Sequence, residues 1–218
     1  MVEEDLLQFY NCKILRAGKL NKEDLWVRNG IIIDPEKVFY DEKIHATVRI
    51  DCQNAIISPG YIDLQINGGF GIDFSHDVDN VEEGLNKVSK ELLAHGVTSF
   101  CPTLVTSSAE NYHKILPRIK RSRGGTHGAA VLGVHVEGPF ISTNKKGAHQ
   151  EFYIKKFKNG FQSLLEIYGN LENISYITLA PEIDNSYEVI SELCKRNIKV
   201  SVGKTIIHTP LINIKYYR

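Results

Sequence analysis

Neither sign of charge predominates in this sequence: Lys plus Arg and Asp plus Glu number 26 each among 218 residues. A balanced chain has no global field for nucleic acid or an anionic membrane surface, so neither is expected as a partner, and an anionic ligand must be held by local contacts. No apolar run is long enough to span a bilayer, and the start, Met1-Val2-Glu3-Glu4-Asp5, carries acid where a secretory signal carries base and then an apolar core. A cytoplasmic location is the expectation. The four cysteines, Cys12, Cys52, Cys101 and Cys194, include no C-x-x-C pair and sit mostly beside apolar residues, which predicts reduced, buried thiols rather than disulfides or a zinc site. Internal repeats, low-complexity tracts and long charge runs are also missing. Ser122-Arg123-Gly124-Gly125-Thr126 is the one linker-like stretch and reads as a surface loop.

The chain does carry apolar residues enough for a sizeable core, 42% of its length against 24% charged. Up to about Ile57 the pattern is of short β-like runs: Phe9 to Leu15, Leu25 to Val27, Ile31 to Ile33, Ala46 to Ile50 and Ala55 to Ile57. Arg28-Asn29-Gly30 and Asp34-Pro35 are turn signals between them, and a small antiparallel sheet is expected. From Ser58-Pro59-Gly60 onward, strands alternate with helices. Strands are predicted at Tyr61 to Ile66, Thr98 to Leu104, Ala130 to Val136, Ile174 to Leu179 and Ile198 to Val202. Helices are predicted at Val81 to Ala94, Ala109 to Ile119, Phe161 to Tyr168 and Tyr187 to Arg196. Five strands in β-α alternation imply an α/β fold with a parallel sheet and right-handed crossovers, either a barrel or an open doubly wound sheet.

Gly133 to Phe140 is the most informative stretch. An apolar strand delivers Glu137 to a strand end, where Gly138-Pro139 turns the backbone, and strand ends in α/β folds open into the loops that build active sites. His135 lies two residues before Glu137 and shares its face. It reads as a hydrogen-bonded interior group supporting the site rather than a joint ligand. The last strand ends similarly, in Gly203-Lys204. Gly68-Gly69-Phe70-Gly71 has neither the lysine nor the helix start of a nucleotide loop and reads as backbone room beside the first strand.

Ile56-Ile57-Ser58-Pro59-Gly60-Tyr61-Ile62-Asp63 resembles the segment that opens the barrel in the amidohydrolase superfamily, although Gln65-Ile66-Asn67 stands where that superfamily has His-x-His. With Phe100 to Thr106, Gly133 to Phe140, Lys145-Lys146-Gly147-Ala148-His149 and Thr178-Leu179-Ala180-Pro181-Glu182, the chain resembles the N-acetylglucosamine-6-phosphate deacetylase family over Leu15 to Gly203. The resemblance implies a (β/α)8 TIM-type barrel, here partial with about five strands, beside a small β-sandwich subdomain. Residues 1–57 would form the sandwich part, 58–203 the partial barrel and 204–218 a divergent tail. The implied activity is hydrolysis of the acetamide of N-acetylglucosamine 6-phosphate with a divalent metal, zinc first among candidates, acting on a small sugar phosphate and commonly in a homodimer.

By the same resemblance Glu137 takes the position of the family's carboxylate metal ligand, and Ala148 with His149 that of its sugar-contacting loop. Gln65 and Asn67 stand where related hydrolases keep histidines. The family's first metal-binding histidine falls where this chain has Lys204, whose ammonium would repel a cation. From Lys204 on, the resemblance ends, so the remaining strands, the second histidine and the catalytic aspartate are expected to be missing, and the chain reads as an N-terminal portion with weak or no metal binding. His208, four residues beyond the family position, is a poor replacement ligand. Two other readings stand beside this one: an inactive product that pairs with other subunits, and an imidase- or dihydroorotase-like amidohydrolase, which the Gln65-Ile66-Asn67 sequence disfavours. Open sheet edges would make the chain poorly soluble or dependent on a partner.

Overall fold

The structure is a computed structural model in which residues 5–206 are described. It divides into two compact units, Met1–Pro59 and Gly60–Arg218. His208 and the rest of residues 207–218 lie outside the described residues.

The first unit holds two small sheets. One has β1 (Leu6–Tyr10) between β4 (Leu25–Arg28) and β6 (Val48–Asp51), with β5 (Ile31–Ile33) outside β4. The other has β2 (Lys13–Arg16) between β3 (Lys19–Lys22) and β7 (Ile56–Ile57). The expected antiparallel sheet is corrected to mixed ones, because β1 pairs with β6 and β2 with β7 in parallel. Parallel neighbours need a long connection, and residues 34–47, with a helical turn at Lys37–Glu42, supply it between β5 and β6. The single run expected over Phe9 to Leu15 is two strands in different sheets, since Asn11 takes φ 53° and turns the chain between them. Strand β3 escaped the sequence pattern because Lys-Leu-Asn-Lys is exposed along its whole length and shows no alternation.

The second unit is built on a parallel sheet in sequential order: β8 (Tyr61–Ile66), β11 (Val97–Val105), β12 (Ala130–Val131) continuing as β13 (Val134–Glu137), β14 (Ile174–Leu179) and β15 (Lys199–Val202). Strand order never reverses, so the sheet is singly wound like part of a barrel, and the doubly wound alternative is set aside. Before β11 comes a short hairpin, β9 (Gly68–Gly69) with β10 (Ile72–Asp73), which accounts for the glycines after the first strand. The expected third strand is broken at Gly133, whose φ is 111° and where a Cβ would lie 2.4 Å from Ser175 Oγ.

Helices α1 (Val81–Leu93), α2 (Ala109–Ile115), α3 (Phe161–Tyr168) and α4 (Ser186–Lys195) connect the strands. In α1, Val81, Leu85, Val88 and Leu92 recur at helical spacing and are buried, each worth roughly 1.5–3 kcal/mol of transfer free energy. Helix α2 starts on Ser108, whose Oγ accepts from Asn111 N–H at 3.2 Å. It stops at Ile115 rather than Ile119 because Pro117 has no N–H to continue the ladder. The helix faces meet Phe100, Leu104, Val134, Val136, Ile177 and Leu179 in one core. Alternation along the strands then turns Thr103, His135, Glu137 and Thr178 to the other face.

The expectation of four buried thiols is corrected in part. All four cysteines are free; Cys12 and Cys101 are buried, Cys52 is half-buried and Cys194 is exposed. Cys194 follows buried Leu193 on α4, and one residue is a rotation of about 100° away from the core. Among the described residues no helix is long and apolar enough to cross a membrane.

Candidate functional site

Strand register brings the site together. Glu137 ends β13 opposite Val105 of β11 and Thr178 of β14, and only 7% of it is exposed. Its Oε2 accepts from Gln65 Nε2 at 3.0 Å. Its Oε1 faces His149 Nε2 at 3.5 Å and Lys204 Nζ at 3.4 Å. The imidazole of His149 foremost, then the charge of Lys204, holds the Glu137 carboxyl below its usual range against burial, which pushes it up.

His149 belongs to the long connection between β13 and α3 and is buried. Its Nδ1 lies 2.8 Å from Thr106 Oγ1 and accepts from the Thr106 N–H at 3.4 Å. Thr106 Oγ1 is also 3.4 Å from the Glu137 carbonyl oxygen, to which it can donate. One threonine just past β11 therefore locates both the histidine and the backbone of the glutamate.

Beneath them is a layer of polar groups inside the sheet. His135 is fully buried, with Nδ1 3.0 Å from Thr103 Oγ1 and Nε2 2.8 Å from Thr178 Oγ1, and its ring stacks on Tyr176 at 4.0 Å. Burial lowers its pKa to about 4, with the charge of Glu137 opposing, so the ring is neutral at ordinary pH. Both ring nitrogens are taken by hydroxyls, and His135 braces the strands beneath Glu137.

The sequence-selected residues thus separate. Gln65, Glu137 and His149 converge, and Lys204 joins them. Asn67 is exposed, and its carbonyl oxygen accepts from Phe74 N–H in the hairpin. Ala148 is exposed beside His149, and Lys146 pairs with Glu151 at 3.8 Å. Sequence reasoning missed Thr103, Thr106, Thr178 and Tyr176. The available signal was a hydroxyl residue at alternate positions of otherwise apolar strands. A cavity of about 540 Å³ lined by Arg121, Glu172, Arg196 and Lys199 opens instead by Ile174 and Lys199, the starts of β14 and β15, away from Glu137.

The donor set does not suit a divalent metal. Among the described residues no three His, Cys, Asp or Glu side chains cluster as ligands. The Glu137 carboxylate is engaged by an amide, an imidazole and an ammonium, whereas zinc sites normally use at least three protein ligands.

The amidohydrolase family profile matches residues 56–209. The chain is 55% identical over 202 residues to the N-acetylglucosamine-6-phosphate deacetylase of Rattus norvegicus, covering 92% of this chain and 49% of the relative. It is 50% identical over 207 residues to that of Caenorhabditis elegans, covering 93% and 50%. Among solved structures, the N-acetylglucosamine-6-phosphate deacetylase from Pasteurella multocida superposes with a TM-score of 0.68 at 28% identity, covering 92% of this chain and 51% of that one. The chain spans about half the length of these relatives.

Proposed function

The chain belongs to the amidohydrolase family, and from that premise we propose that it forms the first half of the active-site wall of an N-acetylglucosamine-6-phosphate deacetylase. The carrying observation is the sustained likeness to relatives of that name along nearly the whole chain, with Glu137 and His149 of separate motifs meeting at the strand ends. The reaction adds water across the acetamide: the water oxygen bonds the acyl carbon, the C–N bond breaks and the amine takes the proton, giving acetate and glucosamine 6-phosphate. His149, with Ala148 beside it, contacts the sugar. Thr106 sets the angle of the imidazole, and Gln65 and Glu137 line the wall behind it. The half-buried and buried free thiols are in keeping with a cytoplasmic enzyme.

The resemblance implies a metal-dependent hydrolysis, and amide hydrolysis needs an activated water, an oxyanion stabiliser and a proton donor. With Glu137 held by three donors, the 218-residue chain alone binds the sugar phosphate but does not turn it over. Acetate release from N-acetylglucosamine 6-phosphate, measured with added zinc beside the full-length rat relative, tests this. A comparable rate would refute the inactivity. Saturation-transfer NMR tests the substrate class: binding of N-acetylglucosamine 6-phosphate that His149→Ala abolishes is expected, and no binding by the unaltered chain would remove the assignment.

A further inference from the structure

We infer that Lys204 is the resident cation of this site: its ammonium neutralises Glu137 and keeps a divalent metal out. This rests on the deacetylase reading only for the expectation that a metal belongs beside Glu137. Lys204 Nζ lies 3.4 Å from Glu137 Oε1, the oxygen that also faces His149 Nε2. At a metal–oxygen distance of about 2 Å, a metal bound to that oxygen would stand no more than about 5.5 Å from the ammonium. Even at the dielectric of bulk water, repulsion between a divalent ion and an ammonium at that distance corresponds to about tenfold in affinity.

The backbone around Lys204 is fixed on both sides. Gly203 N–H donates to the Leu179 carbonyl at 3.1 Å, and the Lys204 carbonyl accepts from Ser142 N–H at 3.0 Å. Beyond it, the Glu182 carboxylate accepts from the Thr205 hydroxyl and, at 3.0 Å, from Ile206 N–H. The turn following β15 is therefore tied to the β14 end and to the loop after β13, the segments that also frame Glu137. The Lys204 side chain is one-third exposed, so the ion pair sits at the mouth of the site, where an entering cation would have to displace it.

Zinc uptake by the purified chain, measured by equilibrium dialysis with metal analysis, tests the inference for the unaltered protein, Lys204→Met, Lys204→His and Glu137→Gln. Thermal melts with zinc or chelator are recorded for each. The unaltered chain is expected to take up no stoichiometric zinc and to melt identically in zinc and in chelator. Lys204→Met and Lys204→His are expected to bind zinc at least about tenfold more tightly than the unaltered chain. Stoichiometric zinc on the unaltered chain, lost in Glu137→Gln, would overturn the inference. So would zinc affinities of both Lys204 variants no higher than the parent's. Uptake is read without turnover or sugar binding, so failure of the deacetylase reading leaves this result separately interpretable.

Discussion

His135 should make the barrel unit acid-sensitive in a defined window. An unfolded histidine titrates near 6.5, whereas the buried ring, between two threonine hydroxyls and flat against Tyr176, titrates at about 4. Above 6.5 both states are neutral and the group adds no pH dependence. Between 6.5 and 4 the unfolded chain takes up a proton that the folded chain refuses, so stability falls as pH falls through this window, and the loss is complete below about 4. The gap amounts to about 3 kcal/mol in full, of which about 2 kcal/mol is lost between about pH 7 and about pH 5.

The comparison is with His135→Gln, which cannot titrate. That variant starts less stable, having lost the stacked ring, but its stability should fall by about 2 kcal/mol less over the same pH interval. Urea unfolding should be followed by far-ultraviolet circular dichroism, because α1 to α4 all lie in the second unit, while the one tryptophan, Trp26, reports on the first. Equal losses for the two proteins between pH 7 and pH 5 would refute the assignment of a neutral, hydroxyl-bound ring.

Phe140→Ala should cost about 3–5 kcal/mol in the same urea assay, since the ring is fully buried, stacked on Phe157 at 4.1 Å and edge-on to Tyr168. A cost below about 1 kcal/mol would mean that the turn after Glu137 is not packed as described. Gly138→Ala places a side chain at φ 78° with its Cβ 2.1 Å from Thr106 Oγ1. It should destabilise by at least about 1–3 kcal/mol and shift the His149 ring resonances in NMR spectra, because Thr106 holds that ring. Ile62 and Leu64 are 60% and 58% exposed on β8, which pairs on one side with β11 among the described residues. Size-exclusion chromatography should show concentration-dependent association that the double substitution Ile62→Lys, Leu64→Lys suppresses; a parent that stays monomeric at high concentration would contradict it.

The order and type of the five main strands and four α-helices after Pro59 were legible in the linear chain, though not the short β9–β10 hairpin, because apolar runs of strand length and amphipathic helices follow from periods of two and 3.6 residues, which are local properties. The prominence of Glu137 was legible too, since an acid closing an apolar strand before Gly138-Pro139 stands out against its neighbours. Pairing was not: whether β6 runs parallel or antiparallel to β1 depends on the path of residues 34–47, which no period encodes. Nor could the sequence reveal that Thr103 and Thr178 flank His135 or that Thr106 grips His149. These contacts join residues more than thirty positions apart, brought together by the register of adjacent parallel strands and by the connection that carries His149. Hydrogen-bond and charge partners at such separations are set by where strands end in space, whereas the propensity of each strand is written in its own few residues.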